Sequence, residues 1–384
     1  MDLSYILNEL GEERELYFNA IAPPIVQTSN FTFPNVAAMR ADLQHEHERY
    51  FYSRGNNPTV DILCKKLAAL DGAEKALVLA SGAAAVAAAV LATVNAGDHI
   101  VSVDKPYTWT NKLLRNFLPR FGVTTTFVDG TDAANVERGI QANTKLIYLE
   151  SPTSFTYALQ DLAAVAGIAR AHGVTSIIDN SHCTPLYQRP LDLGIDISVQ
   201  SATKYLSGHS DVMAGVICGS AARLKQIFYS EYMTLGGVIS PMNAYLILRG
   251  LRTLPLRLDR SDASARQVVA FLEKHPAVRK VYYPFADTHP QAELARRQMR
   301  GVGGLLTVEL NTDSIAVVDA FADRLERFLL GVSWGGYESL MLPLSATFPA
   351  DTRATGFNLT RLYVGLEDPN VLIADLEQAL TVVA

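Results

Sequence analysis

The sequence predicts an α/β protein with a large, mostly parallel sheet, followed by a smaller C-terminal α/β region. Three observations favour this fold class. Between residues 49 and 240, short apolar runs alternate with stretches of helical pattern, as they do in βαβ units. Several of these runs are continuously apolar, which is typical of parallel strands buried on both faces. The chain has 384 residues, 49% of them hydrophobic, which is enough for more than one packed core.

The predicted strands and helices follow one another along the chain. The strands are β-branched or apolar runs at 76–80, 100–103, 124–128, 146–149, 176–178, 197–200 and 215–218. The helices between them are predicted at 83–94, 110–117, 133–140 and 162–171. A longer helix is expected at 244–253. A final helix, with Asn370 as its cap and Val371 and Leu376 on its apolar face, is expected near the C-terminus.

Residues 1–48 lack a regular pattern. Pro23 and Pro24 stand side by side and forbid a regular helix around them, so this segment is predicted to be an arm lying on another part of the protein. The expected organisation is therefore an N-terminal arm at 1–48, a large domain at 49–240 and a small C-terminal domain at 241–384.

Charge and composition exclude several classes of function. The net charge is −6 and basic residues are scattered, so nucleic-acid binding is not expected. Cys64, Cys183 and Cys218 are odd in number and far apart, as buried thiols of a reducing compartment are. His45 and His47 have no accompanying cysteine pair, so no metal site is expected. The N-terminus shows no secretion signal, and a cytoplasmic location is the expectation.

One apolar stretch, 76–94, is about long enough for a membrane span. It is rich in alanine and contains Ser81-Gly82, so a buried strand, a glycine turn and a packed helix explain it better, and no membrane association is expected. A turn of this kind lets a phosphate approach a helix N-terminus. It matches neither the P-loop nor the dinucleotide motif, and taken alone a plain strand–turn–helix connection is the better interpretation.

Two further segments carry candidate chemistry. Asp179 follows the apolar pair Ile177-Ile178, at the end of a predicted strand where open α/β sheets bind ligands. A buried carboxylate there needs a cationic partner, and a protonated ring nitrogen of a cofactor would serve. Lys204 comes just after another predicted strand, preceded by Ser201 and Thr203. A recessed lysine amine of this kind can be deprotonated and can form an imine with an aldehyde.

These segments belong to a larger set of ordered motifs. The set comprises PPIVQTSNF at 23–31, YSRGNNPTV at 52–60, SGAAAV at 81–86, ESPTS at 150–154, DNSHCTP at 179–185, SATKYLSGHSD at 201–211, GLRTL at 250–254, SWGGYESL at 333–340 and RLYVGLED at 361–368. With this set the chain resembles the Cys/Met-metabolism family of pyridoxal 5′-phosphate (PLP) enzymes, the transsulfuration group. The resemblance implies fold type I of the PLP-dependent transferases, the aspartate-aminotransferase-like fold.

The resemblance also implies a role for each matching residue. Lys204 would be the Schiff-base lysine, Asp179 the partner of the pyridinium nitrogen, and Tyr107 the aromatic residue stacked on the cofactor ring; these three are the expected catalytic residues. The phosphate would be held by Ser81, Gly82, Ala83, Ser201 and Thr203, together with Tyr52 and Arg54 from a neighbouring subunit. Arg361 would bind the substrate α-carboxylate, with Ser333 and Trp334 lining the same pocket. Without the resemblance, Tyr107 would be interpreted as a core aromatic residue and Arg361 as a surface charge.

Several residues bear on the branch of the family. Ser333-Trp334 and the segment 149–154 resemble bacterial cystathionine β-lyases, since γ-lyases and γ-synthases usually carry Leu in place of this Trp. Most other members have Asn-Pro where this chain has Ser154-Phe155. Two features depart from the β-lyase pattern. The 52–60 motif keeps a form common in the wider family, and Val332 stands where branches often place a Tyr or Glu that contacts the far end of the substrate.

The expected activity is therefore β-elimination of L-cystathionine, or of a related cysteine S-conjugate, to a thiol (homocysteine), pyruvate and ammonia. The alternative is a cystathionine γ-lyase or γ-synthase-like enzyme acting on a γ-substituted amino acid. A PLP-binding protein without catalytic activity is a third hypothesis, which the retained lysine, aspartate and arginine disfavour. The resemblance implies a homo-oligomer, usually a tetramer, whose active sites are shared across a dimer.

Overall fold

A computed structural model describes residues 1–347 and 356–383, and the described chain forms two compact units. Unit 1 comprises Met1–Glu150, Gln160–Ser207 and Asp211–Arg252. Unit 2 comprises Ser151–Leu159, Gly208–Ser210 and the described residues from Thr253 onward. Two short segments of the predicted large domain thus belong to unit 2. The arm and the boundary at 240 that the sequence suggests stay predictions.

Unit 1 is built on a seven-stranded sheet with the order β1-β7-β6-β5-β4-β2-β3. The strands are β1 (Lys75–Leu79), β2 (His99–Val103), β3 (Thr124–Val128), β4 (Thr144–Glu150), β5 (Thr175–Asp179), β6 (Ile197–Ser201) and β7 (Gly215–Gly219). The strands β2 to β6 pair in parallel, whereas β7 is antiparallel to both β6 and β1. The mostly parallel sheet predicted from the sequence is confirmed, and its central strands are buried as continuous apolar runs require.

The α-helices of unit 1 lie before, between and after these strands along the chain. They are α1 (Leu3–Asn8), α2 (Val36–Asp42), α3 (Pro58–Asp71), α4 (Gly82–Leu91), α5 (Thr108–Lys112), α6 (Ala133–Arg138), α7 (Leu162–Ala171), α8 (Thr184–Tyr187), α9 (Ala221–Ile227), α10 (Met233–Leu235) and α11 (Pro241–Leu251). The alanine-rich stretch 76–94 resolves into β1, a turn at Ser81 and α4, as predicted. No helix in the described ranges combines the length and apolar character that crossing a bilayer requires.

The prediction that residues 1–48 are irregular is wrong in two places, because α1 and α2 lie within them. Each is a short helix that a side chain caps: Asp2 accepts from the N–H of Tyr5, and Asn35 accepts from the N–H of Ala38. Helices of six or seven residues leave too few turns for an apolar period to be visible. The two prolines themselves lie in a segment without helix, as predicted.

Unit 2 contains a five-stranded sheet with the order β10-β11-β12-β9-β8. Its strands are β8 (Val278–Tyr282), β9 (Leu305–Leu310), β10 (Leu329–Leu330), β11 (Leu340–Pro343) and β12 (Leu359–Tyr363). Its helices are α12 (Leu254–Leu272), α13 (Ala292–Gln298), α14 (Ile315–Arg324) and α15 (Pro369–Leu380). The final helix is confirmed, but Asn370 is not its cap. Asp368 caps α15 by accepting from the N–H of Asn370, because Pro369 occupies the first helical position and has no N–H to offer.

Candidate active site

Three polar residues end neighbouring strands of the unit 1 sheet. Glu150 ends β4, Asp179 ends β5 and Ser201 ends β6. Glu150 lies directly opposite Asp179 in the parallel register, and Asp179 lies opposite Val199. The carboxyl ends of parallel strands meet at one edge, which is where open α/β sheets bind ligands. The strand-end position predicted for Asp179 is therefore confirmed.

Asp179 has a carboxylate at a partly buried position at the end of β5. Its Oδ1 accepts a hydrogen bond from the backbone N–H of Ser181 at 2.9 Å. Burial raises the pKa of Asp179, while the hydrogen bonds from Ser181 and the positive charge of Lys204 act in the opposite direction. A carboxylate with this desolvation cost is stabilised by a cation placed against it.

A short chain of contacts runs from Asp179 to the glycine turn. The hydroxyl of Ser181 accepts from the backbone N–H of Ser201 at 2.6 Å. Ser201 in turn lies against Gly82, since a Cβ built on this glycine would stand 2.9 Å from the Cβ of Ser201. Only a residue without a side chain fits here without a shift of its neighbours. The backbone at the start of α4 and the Ser201 side chain therefore form one continuous wall at this edge of the sheet.

The N-terminus of α4 adds backbone donors to this wall. Ser81 is its N-cap, and the Ser81 hydroxyl accepts from the N–H of Ala84 at 3.1 Å. The first N–H groups of a helix point out of its end and carry a partial positive charge, which favours an anion. Gly82 and Ala83, the first two helical residues, are the positions that the sequence assigns to phosphate binding.

Lys204 lies three residues beyond β6, and its side chain is half-buried. Its backbone N–H donates to the carbonyl of Ser201 at 3.2 Å, so the chain turns sharply between the two residues. The hydroxyl of Thr203 holds the same turn from the other side. It accepts from the N–H of Ala214 at 3.0 Å and lies 3.2 Å from the Ala214 carbonyl oxygen.

A backbone hydrogen bond places Tyr107 beside the ends of the strands. Its N–H donates to Oε2 of Glu150 at 2.5 Å, and Glu150 is the register partner of Asp179. The Tyr107 side chain is 44% exposed, so it is not the core aromatic residue that the sequence alone would favour. Sequence reasoning did not identify Glu150 as the residue that anchors Tyr107, nor Ser181 as the link to Ser201. The role of Ser181 as a link could have been inferred from its position two residues after Asp179.

Tyr52 and Arg54 form a separate pair on the surface of unit 1. Both side chains are exposed, and the Arg54 guanidinium carbon lies 5.5 Å from the centre of the Tyr52 ring. A cation held over an aromatic face at this distance is stabilised by the ring's negative quadrupole.

The three substrate-binding candidates lie in unit 2. Arg361 is in the middle of β12, where its Nη2 donates to the carbonyl of Val332 at 2.8 Å and to that of Ser333 at 3.2 Å. Ser333 is therefore placed beside Arg361 through its backbone. Trp334 follows directly and is half-buried. Val332 has an apolar side chain that is 81% exposed.

Comparison of the sequence with known proteins identifies the family of this chain. The model of the Cys/Met metabolism PLP-dependent enzyme family matches residues 6–381. The chain belongs to this family. The L-methionine γ-lyase of Pseudomonas putida is 40% identical over 378 residues, covering 96% of this chain and 95% of that protein. The cystathionine γ-lyase of Bacillus subtilis is 38% identical, with 96% of each chain covered. Cystathionine γ-synthase 1 of Arabidopsis thaliana is 38% identical over 96% of this chain and 66% of its own length.

The protein is thus a PLP-dependent enzyme of the Cys/Met lyase family with fold type I, and unit 1 fits this cofactor. A phosphate needs N–H groups, hydroxyls and close approach, which the α4 N-terminus, Ser201 and Gly82 offer. The desolvated Asp179 carboxylate suits a protonated ring nitrogen, and Lys204 follows the end of the next strand, β6. The roles of individual residues in holding PLP stay predictions.

Proposed function

We propose that this enzyme catalyses γ-elimination on a sulfur amino acid such as L-methionine or L-cystathionine. With L-methionine and one water molecule, the products would be methanethiol, 2-oxobutyrate and ammonia. The bond between the γ-carbon and sulfur breaks, the sulfur leaves with a proton as the thiol, and water releases the nitrogen as ammonia. The amino acid is the only organic substrate this reaction requires.

The observation that carries this proposal is the similarity of nearly the whole chain to γ-lyases. The Pseudomonas putida and Treponema denticola proteins of 40% identity are both L-methionine γ-lyases, and the Bacillus subtilis protein is a cystathionine γ-lyase. These relatives support the γ-alternative better than the β-elimination of cystathionine that Ser333-Trp334 suggests. A γ-elimination also requires proton transfer at the β-carbon, so the enzyme needs groups that can move more than one proton.

The residues of unit 1 would provide proton transfer and orientation. When bound, PLP withdraws electrons from the α-carbon of the substrate and so makes its proton removable. The Lys204 amine would accept that proton and return one elsewhere. The Asp179 carboxylate would keep a proton on the ring nitrogen. Tyr107, whose backbone is fixed by Glu150, would stack on the ring and offer a phenolic hydroxyl as a second proton-transferring group.

The residues of unit 2 would select the substrate. The guanidinium of Arg361 would bind the α-carboxylate through two parallel hydrogen bonds. The side chain of Val332 is apolar and exposed. It favours a substrate with an uncharged thioether chain over a substrate with a second charged end. Ser333 and Trp334 would complete the carboxylate pocket.

Tyr52 and Arg54 suggest that the active unit is a dimer. We propose that this exposed pair binds the cofactor phosphate of a neighbouring subunit, so that two chains form each complete site. A tetramer made of two such dimers is part of the same proposal.

Product analysis tests the proposal. Purified holoenzyme would be incubated separately with L-methionine, L-cystathionine, L-cystine and O-acetyl-L-homoserine, and the keto acids would be separated by chromatography. Formation of 2-oxobutyrate from L-methionine or L-cystathionine is the expected result. Pyruvate as the dominant product from L-cystathionine would overturn γ-elimination in favour of β-elimination. A Lys204→Ala variant is the control, and it should form neither keto acid.

A further inference from the structure

Phe155 contacts the residue to which substrate binding is assigned. In unit 2, the guanidinium carbon of Arg361 lies over the Phe155 ring, 5.7 Å from its centre. This distance is within the range of a cation–π interaction. Two carbonyl groups, those of Val332 and Ser333, hold Nη2 of the same guanidinium. Arg361 is therefore held at one nitrogen by hydrogen bonds, and its guanidinium carbon lies over an aromatic ring.

The loop that carries Phe155 is anchored at both ends. The N–H of Thr153 donates to the carbonyl of Ala158 at 3.0 Å, which closes the loop upon itself. The side-chain amide of Gln291 makes two bonds to Leu159, each of 2.8 Å: it accepts from the Leu159 N–H and donates to the Leu159 carbonyl. These hydrogen bonds fix the ends of the loop and so restrict the positions of its central residues.

The register of the sheet places this loop against the Arg361 face. Arg361 on β12 pairs with Thr307 on β9, and directly opposed residues of antiparallel strands share a face. The Thr307 hydroxyl donates to the hydroxyl of Tyr157 at 3.2 Å. Tyr157 therefore contacts Thr307 while Phe155, two residues earlier, contacts Arg361. Two residues of the loop thus contact the two members of one cross-strand pair.

The backbone of the loop is strained at these two contact residues. Phe155 has φ 62° and Tyr157 has φ 51°, in the left-handed region that bulky side chains rarely adopt. Such strain persists where the surroundings determine the conformation, and it is concentrated at functional sites.

We propose that Phe155 is a positioning residue for Arg361: its ring holds the guanidinium plane in the orientation that binds the substrate α-carboxylate. This inference rests on the role assigned to Arg361 under the proposed function. It adds that carboxylate affinity depends on an aromatic face at position 155. Loss of that face affects substrate binding, and it leaves the proton-transfer steps assigned to Lys204 unchanged.

Three variants separate positioning from a merely structural role. Phe155→Leu keeps an apolar side chain without an aromatic face, Phe155→Tyr keeps the face, and Phe155→Gly removes the side chain while relieving the left-handed strain. The probe is 4-(methylsulfanyl)butanoate, which is methionine without its amino group and cannot react. Its dissociation constant would be measured by calorimetry on the holoenzyme, alongside KM and kcat for L-methionine and the thermal midpoint Tm.

The Leu and Gly variants are expected to bind the probe about three- to tenfold more weakly, with a matching rise in KM and little change in kcat. The Tyr variant should bind it as wild type does, and the Gly variant should keep its Tm within about 2 °C. Equal probe affinity in wild type, Phe155→Leu and Phe155→Gly would overturn the proposal. Because the probe does not react, this result is distinct from a failure to form 2-oxobutyrate, which would overturn the proposed function.

Discussion

Gly82 lies against Ser201 so closely that a Cβ on the glycine would stand 2.9 Å from the serine Cβ and 3.0 Å from its Oγ. This contact joins the N-terminus of α4 to the end of β6, the two elements to which we assign phosphate binding as a proposal. The close approach requires that position 82 carry no side chain.

Replacing that glycine should weaken cofactor binding. In Gly82→Ala the new methyl group would push Ser201 away from the α4 N-terminus. We expect the dissociation constant for PLP to rise by about tenfold or more, because this change corresponds to the loss of one charge-assisted hydrogen bond. Fluorescence titration of the apoenzyme with PLP measures it. The matched control is Gly167→Ala inside α7, where a Cβ would meet no atom within 4 Å. This control should keep the affinity and gain helix stability; a loss of affinity equal in both variants would contradict the argument.

Asp179 should matter for turnover more than for folding. In Asp179→Asn the amide oxygen can still accept from the Ser181 N–H, but a neutral amide cannot stabilise a protonated ring nitrogen. We expect kcat to fall by about 100-fold or more at saturating PLP, measured as keto-acid release. An Asp192→Asn variant, which removes a carboxylate from a surface ion pair with Arg189, should stay near wild-type activity. Wild-type kcat in Asp179→Asn would refute the assignment.

Asp71 should make unit 1 less stable as the pH rises. It lies buried at the end of α3, where Gln200 on β6 donates to its Oδ2 at 3.1 Å. Burial raises the pKa of Asp71 from 3.8 to about 6. The folded state therefore favours the protonated acid, so its stabilising contribution is complete below about pH 4 and is lost as the pH rises through about 6. This rise in pKa corresponds to about 3 kcal/mol.

The variant Asp71→Asn cannot ionise and should remove this loss. We expect its Tm to exceed that of wild type by roughly 5 °C at pH 7.5 and the difference to shrink towards pH 4. Thermal unfolding followed by circular dichroism between pH 4 and 8 measures it, at constant protein and PLP concentration. Asp323→Asn, at an exposed carboxylate, is the control and should change neither Tm nor its pH dependence. A parallel pair of curves for wild type and Asp71→Asn would contradict the prediction.

A buried ion pair should hold the N-terminal segment to α3. The Lys66 ammonium lies 3.0 Å from Oε1 of Glu12 and also donates to the carbonyls of Ile6 and Leu7. Removing only the carboxylate, as in Glu12→Leu, leaves a buried ammonium and should cost about 3–5 kcal/mol. The double variant Glu12→Leu/Lys66→Met should recover at least half of that loss, as measured by Tm. A double variant less stable than Glu12→Leu would show that the two changes do not compensate.

Elements whose residue types are uniform over their whole length could be predicted from the sequence. The strand β3 and the helix α7 have the predicted bounds, because β3 is a run of β-branched and aromatic residues and α7 repeats apolar residues at helical spacing. The short helices α1 and α2 and the cap at Asp368 could not, since they depend on one or two side-chain bonds.

The same distinction between predictable and unpredictable features applies to the candidate site. The positions of Asp179 and Lys204 at the ends of neighbouring strands could be predicted, because each follows an apolar run in a recognisable motif, whereas their roles stay predictions. The anchoring of Tyr107 by Glu150 and the contact of Phe155 with Arg361 could not. They join residues 43 positions apart in the first case and more than 200 in the second, and the sequence contains no period that links them.

The role proposed for Lys204 is tested most directly by determining which residue carries the cofactor. Holoenzyme would be reduced with borohydride, digested and mapped by mass spectrometry, with unreduced enzyme as the reference. We expect a single modified peptide that carries the reduced pyridoxyl group on Lys204. A pyridoxyl group on another lysine, with Lys204 recovered unmodified, would contradict it.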